Sequence, residues 1–181
     1  MGGMDRSVVR EIEYPAEPLA PFRRLAGLPH AMALHSARTD LPFARYSYFS
    51  AEPCATLRLD HAGRWNATGL ARRDLPDDPL RVLERLLGEG RAEPGPFRGG
   101  WVGYLAYELA GYIDGLPRHA RPEPRTALLW LGYYDAVVVL DHHAAGWVVI
   151  RSRGWRGWRS GCGRGPAVRW DLWDVWDPWD R

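Results

Sequence analysis

The chain has 181 residues, enough for one domain or one and a half; a compact domain of ~150 residues buries roughly 70% of the surface its unfolded chain exposes. With 24 basic and 22 acidic residues the net charge is +2, so no overall attraction to nucleic acid or anionic lipid is implied. Every basic residue is arginine, and the missing lysine excludes Schiff-base chemistry, lysine nucleophiles and P-loop phosphate binding. Two separated cysteines, Cys54 and Cys162, form no CxxC pair, which fits a reducing, cytoplasmic setting and disfavours a disulfide framework or a zinc site. Residues 1–13 contain no continuous apolar run, so neither a signal peptide nor a membrane span is expected there.

In chain order, Leu19, Phe22 and Leu25 at spacing three predict a short amphipathic helix over residues 17–26, ended by Gly27 and Pro29. Residues 30–36, 45–51, 54–60 and 65–69 read as strands, separated by Asp40-Leu41-Pro42, Glu52-Pro53 and a hairpin turn at His61-Ala62-Gly63. A helix starts with Asp77 or Asp78 as cap and Pro79 at its first position, sets Leu80, Leu83, Leu86 and Leu87 on one stripe, and ends at Gly88 and Gly90. A Pro/Gly-rich linker, 91–96, leads to a glycine-rich segment and a helical turn over 109–113. Strands follow over 128–134, 136–141 and 146–151, the last two joined as a hairpin through residues 141–145. The expected class is α+β, an antiparallel sheet in a sandwich-like half with a few flanking helices.

Residues 151–181 differ in kind. They hold six of the ten tryptophans with seven arginines, and Trp170, Trp173, Trp176 and Trp179 are each followed by an aspartate. A period of three turns the ring by about 60° per repeat on a helix and flips faces on a strand, so no single face buries all four. Arg, Gly and Trp are what G-rich codons yield in an unintended frame, making a frameshift near residues 150–158 the preferred explanation. A disordered low-complexity extension is the alternative. The division expected is a domain over 1–150 and a tail over 151–181 that is not native to the fold; Arg/Gly/Trp stacking on single-stranded nucleic acid is disfavoured because four aspartates oppose the phosphates.

The densest signal is Pro96-Phe97-Arg98-Gly99-Gly100-Trp101-Val102-Gly103-Tyr104-Leu105-Ala106-Tyr107-Glu108. Glycine weakens a strand unless a bulge, a bend or a second backbone needs the space, so this segment predicts close backbone packing. Two further blocks accompany it: Leu28-Pro29-His30-Ala31-Met32-Ala33-Leu34-His35-Ser36 with Asp40 to Ser47 and Ala51-Glu52-Pro53, and Leu116-Pro117 with Tyr133-Tyr134-Asp135 to Asp141-His142. Taken in chain order, over residues 25–150, they resemble the amino-terminal domain of the chorismate-utilising enzymes, the large subunits of aminodeoxychorismate synthase and anthranilate synthase. Ala-Leu-His-Ser looks closer to the aminodeoxychorismate version than to the Leu-Leu-Glu-Ser usual in anthranilate synthase, which stays open as the alternative.

The resemblance implies a non-catalytic segment. In the family, chorismate is aminated in a carboxy-terminal domain that binds magnesium through carboxylates and takes ammonia from a glutamine amidotransferase partner, and the aminodeoxychorismate branch uses a lysine nucleophile there. No cofactor is expected on this chain itself. The resemblance also implies a tryptophan pocket in which Ser36 bonds the ligand's polar end while Phe43, Ala44, Arg45 and Tyr46 wall the indole; an apolar slot with few polar groups suits such a ligand. Against this stand structural roles, with Ser36 satisfying a strand-end backbone group and Phe43 and Tyr46 serving as core. Loss of the larger lobe is expected to expose apolar strand faces and leave residues 1–150 marginally stable, aggregation-prone and catalytically silent. A free-standing module for an aromatic amino acid or a partner protein is the reading from a different class.

Other chemistry-bearing residues have bland readings. Asp141-His142-His143 invites a metal, but neighbouring strand residues point to opposite faces, so a solvated turn is expected. His30 and His35 likewise fall on opposite faces. Tyr107 and Glu108 are expected in a strand-end structural role rather than as an acid/base pair, and Cys54 as a buried thiol.

Overall fold

The aliphatic run Ala136-Val137-Val138-Val139-Leu140 is buried at every position, the signature of a strand covered on both faces. In the computed structural model, which describes residues 8–12, 17–70, 75–88, 95–113, 126–144 and 146–151, this strand is the centre of the first of two antiparallel sheets. The nine strands are β1 (Val8–Ile12), β2 (Met32–Leu34), β3 (Tyr46–Ser50), β4 (Ala55–Leu59), β5 (Trp65–Thr68), β6 (Gly100–Leu105), β7 (Leu129–Tyr134), β8 (Ala136–Asp141) and β9 (Gly146–Arg151). One sheet runs β1-β9-β8-β3-β2 and the other β5-β4-β7-β6. With helices α1 (Ala20–Leu25), α2 (Pro79–Gly88) and α3 (Ala110–Ile113) and a 3₁₀ turn at Tyr107–Leu109, the class is α+β, as the sequence predicts.

Strand β1 is not foreseen by the sequence reading, because Val8, Val9 and Ile12 do not alternate. Its antiparallel partner β9 supplies the pairing, from Val8 opposite Arg151 to Ile12 opposite Trp147. Apart from Arg151, which closes β9, the tail over 151–181 lies outside the described residues, as does the Leu116-Pro117 block.

Two corners pass the chain between the sheets. Asp135 alone separates β7 from β8, and residues 51–54 carry β3 into β4, with Glu52 in the left-handed region at φ 47° and its N–H donating to the Pro29 carbonyl at 2.8 Å. Strands that change sheets this way make the corners of a closed two-sheet packing.

Three apolar clusters follow. Strand β4 alternates cleanly, burying Ala55, Leu57 and Leu59, and its inner face packs with Leu128, Leu129, Trp65 and helix α2. The α2 stripe is rotated from the expected one: Val82 and Leu86 are buried, while Leu80 and Leu83 are half-buried. An i, i+4 pair lies on one helix face, and the β-branched Val82 occupies the centre that a leucine-only reading assigns to Leu83. Asp78 is the cap, its Oδ1 accepting from the Leu80 N–H at 2.9 Å. Helix α1 buries Leu25 and lays Phe22 and Leu19 against Phe49, Val138 and Leu140 of the first sheet. The opposite face of that sheet joins Tyr134, Val137 and Val139 to Met32, Tyr46, Tyr48, Phe97 and Val102, linking the two sheets.

The glycine segment is built as its pattern requires. Gly99 and Gly100 take φ of 118° and 144°, conformations closed to side-chain-bearing residues. At Gly103 a Cβ would overlap the Trp130 carbonyl oxygen and come within 2.8 Å of Leu131 Cα on the neighbouring strand β7.

Candidate ligand site

Strands β2, β3 and β8 place the residues that matter. Leu34 pairs with Tyr48, and Tyr46 and Tyr48 pair with Asp141 and Val139, so these side chains share the face that meets the second sheet. Ser47 and Phe49 alternate to the other face, under α1.

Ser36 and Tyr46 are brought together: the Ser36 hydroxyl donates to the Tyr46 carbonyl at 2.8 Å. That bond uses the only hydroxyl proton and leaves lone pairs able to accept. Tyr46 is half-buried against the inter-sheet cluster, 6.0 Å from the Tyr48 ring. The Arg45 guanidinium lies 4.9 Å above the Tyr46 ring and donates through Nε and Nη2 to one oxygen of Asp141, at 2.9 and 2.7 Å. The arrangement does not gather all five expected residues. Ala44 is buried, and Phe43 stands 82% exposed.

Asp141 works as a hub. Its other oxygen accepts from the N–H groups of His143 and Ala144 at 3.0 and 3.1 Å, and the Arg45 hydrogen bond leads these contacts in holding its carboxyl below the usual range. Tyr48 is raised instead, chiefly by burial, and accepts the Phe97 N–H at 3.4 Å.

The serine-histidine arrangement behind Ser36 is what sequence reasoning missed. His142 stands in the turn that follows β8, half-buried where its neighbours His143 and Ala144 are exposed. Its Nε2 lies 2.8 Å from the hydroxyl of the fully buried Ser47, which also lies 3.0 Å from His35 Nδ1 and accepts the Ser36 N–H at 3.0 Å. Burial first, then the neighbouring His35, pushes the His142 imidazole below its ordinary value. The signal was weak, since a serine inside an aromatic strand and histidines at a strand end and a hairpin turn have no fixed spacing.

Among the described residues no three His, Cys, Asp or Glu side chains converge as a metal site. No described helix is long and apolar enough to cross a membrane. Tyr107, 89% exposed, and Glu108 sit in the 3₁₀ turn that follows β6. Cys54 corrects expectation: it is half-buried and disulfide-bonded, not a buried free thiol.

No protein-family model matches the chain. Aminodeoxychorismate synthase component 1 of Escherichia coli is 33% identical over 126 residues, 67% of this chain and 28% of the relative. Anthranilate synthase component 1 of Thermococcus kodakarensis is 33% identical over 128 residues, 71% of this chain and 27% of the relative. The Mycobacterium bovis anthranilate synthase component 1 is 30% identical over 148 residues, 75% of this chain. The chain belongs to the chorismate-utilising component 1 family. It spans little more than a quarter of the length of these relatives. Identity is the same 33% to one relative from each branch, so within the chorismate-utilising family the branch is a matter for the site.

Proposed function

We propose that this chain is the amino-terminal, non-catalytic portion of an aminodeoxychorismate synthase component 1, serving 4-aminobenzoate and folate synthesis, and that it holds tryptophan at Ser36. The observation that carries the ligand reading is the Ser36 hydroxyl. Its proton is committed to the Tyr46 carbonyl, so toward a ligand it acts as an acceptor, matching the ammonium end of an amino acid. The ring of Tyr46, with Met32, Tyr48, Phe97 and Val102 in the same cluster, offers the apolar surface an indole requires. Arg45 is already neutralised by Asp141 and lies over Tyr46, so it stiffens that wall.

The Ala33-Leu34-His35-Ser36 version of the block supports the aminodeoxychorismate branch by its resemblance to that branch's sequence. The anthranilate branch is the second reading, kept open by an identity to the Thermococcus enzyme equal to that with the Escherichia coli one. On either reading, chorismate amination, the magnesium ion and the docking of a glutamine amidotransferase belong to the part of the relatives' length that this chain does not span. The residues described here do not fit magnesium, since no carboxylates converge. A chain without lysine also cannot supply the branch's lysine nucleophile.

Calorimetric titration with tryptophan tests the ligand reading: a saturable signal lost in Ser36→Ala supports it, and no heat at millimolar ligand refutes it. Incubating the purified chain with chorismate, magnesium and ammonia tests the other half. No chorismate should be consumed, and turnover would overturn the non-catalytic assignment.

A further inference from the structure

Ser47 is fully buried beneath the strand whose opposite face carries Tyr46. Its hydroxyl meets the Ser36 N–H at 3.0 Å, His35 Nδ1 at 3.0 Å and His142 Nε2 at 2.8 Å. A hydroxyl has one proton and two lone pairs. The Ser36 amide can only donate, so it occupies one lone pair. One imidazole must then present N–H to the other lone pair, and the second must present a bare nitrogen to the Ser47 proton. The junction is complete when one, and only one, of the two facing ring nitrogens carries hydrogen. One imidazolium is compatible with that count. With two, three donors face two lone pairs, the Ser47 proton has no acceptor, and two cations share rings 6.2 Å apart.

We propose that Ser47 is a positioning residue for the Ser36 site, and that His35 and His142 make its hold on the Ser36 backbone depend on their joint protonation. The junction holds while the pair carries at most one excess proton and opens when the second arrives. Ser36 then loses the bond fixing its amide, and its hydroxyl is free to leave the Tyr46 carbonyl. Only the affinity consequence rests on Ser36 being a ligand contact.

Other described groups surround the pair. From β8 and its turn, Asp141 favours the charged form of His142 and His143 opposes it, the Asp141 carboxylate being engaged by Arg45. From β3 the Phe49 ring lies 6.4 Å from His35, and just before β3 the Arg45 carbonyl accepts the His142 backbone N–H at 2.8 Å. Helix α1 covers the same sheet face with Phe22 and Leu25; its Arg23 is paired with Glu17.

The test uses the full chain with ¹⁵N-labelled histidine, read by long-range ¹H–¹⁵N NMR from about pH 8 to pH 4.5. At high pH His35 Nδ1 and His142 Nε2 should be in opposite protonation states. The pair should titrate in two steps, with Ser36 amide exchange protection falling at least ~10-fold at the second step only, as for one lost hydrogen bond. Like states at pH 8, or protection unchanged through both steps, overturns the proposal. Ser47→Ala should abolish Ser36 protection at every pH. Should that variant not fold, His142→Gln, which donates or accepts without titrating, should remove the second step, and its persistence refutes the assignment. Tryptophan calorimetry at both pH extremes supplies the affinity arm, with ~10-fold weaker binding expected in acid. Equal affinity with the junction open sinks the positioning role. No binding at either pH sinks the ligand reading alone, leaving the junction to be judged by NMR.

Discussion

Replacing Gly103 with alanine tests the central claim about the glycine segment. The new Cβ would collide with the Trp130 carbonyl oxygen and lie 2.8 Å from both the Trp130 carbonyl carbon and Leu131 Cα. These are backbone atoms of β7, which is hydrogen-bonded to β6 on one side and β4 on the other, so no side-chain rotation relieves the contact. Overpacking of this kind costs about 1–3 kcal/mol. Set against it is the unfolded-state gain of Gly→Ala, about 0.4–1 kcal/mol. The net expectation is a loss of about 1.3 kcal/mol, a fall in Tm of roughly 3–5 °C for a chain of this size. Thermal unfolding followed by circular dichroism, with urea midpoints alongside, measures it. Gly27→Ala is the control, because nothing lies within 4 Å of its added Cβ, and it should be neutral or slightly stabilising. If Gly103→Ala melts with or above the wild type, close strand approach is not why glycine stands there.

Tyr134 donates to the carbonyl of His30 at 2.8 Å, and burial pushes its hydroxyl up to about 12. Its folded value exceeds its unfolded one, so its contribution is whole below about pH 10 and declines as pH rises toward the folded value; spectrophotometric titration should show one tyrosine ionising last, absent in Tyr134→Phe, which should lose about 0.5–1.5 kcal/mol. Asp141 has the opposite sign, with a lowered folded value. Its contribution is present above about pH 4 and is lost as pH falls through the folded value, so the stability gap between wild type and Asp141→Asn, from urea unfolding, should be constant above that pH and shrink below it. Strand β6 is an edge carrying exposed Tyr104 and Leu105, the kind of surface that self-associates. Sedimentation velocity should show concentration-dependent association reduced in Leu105→Glu.

Most of the fold was legible because period and punctuation agree. The unbroken aliphatic run of β8 needs cover on both faces, β4 alternates, and Asp78-Pro79 opens α2 as a cap and first residue should. Gly99, Gly100 and Gly103 announced close approach, and the structure supplies a physical reason at each. What stayed hidden depends on pairing across long separations. Strand β1 forms by matching β9 over more than a hundred residues, and no local pattern encodes that. The α2 stripe turned by one position because β-branched Val82 fills the core as well as leucine.

The candidate site divides along the same line. Ser36 and Tyr46 lie close because β2 and β3 pair in a short-range register, Leu34 opposite Tyr48, which a sequence with two nearby strands already suggests. The core role for Phe43 does not hold: residues 41–44 form a turn, with the Ala44 N–H donating to the Leu41 carbonyl at 3.0 Å, that buries Ala44 and leaves the Phe43 ring exposed. For His142, strand alternation argues against a shared metal with Asp141 and His143 but says nothing of which face holds a partner. Register decides it. Tyr46 opposite Asp141 places Ser47 one step along on the α1 side, and the His142 ring, one residue past Asp141, turns to that same side. A polar residue fully buried inside an aromatic strand is therefore the sign to seek, since burial obliges Ser47 to find partners, and histidines from two neighbouring strand ends meet that demand.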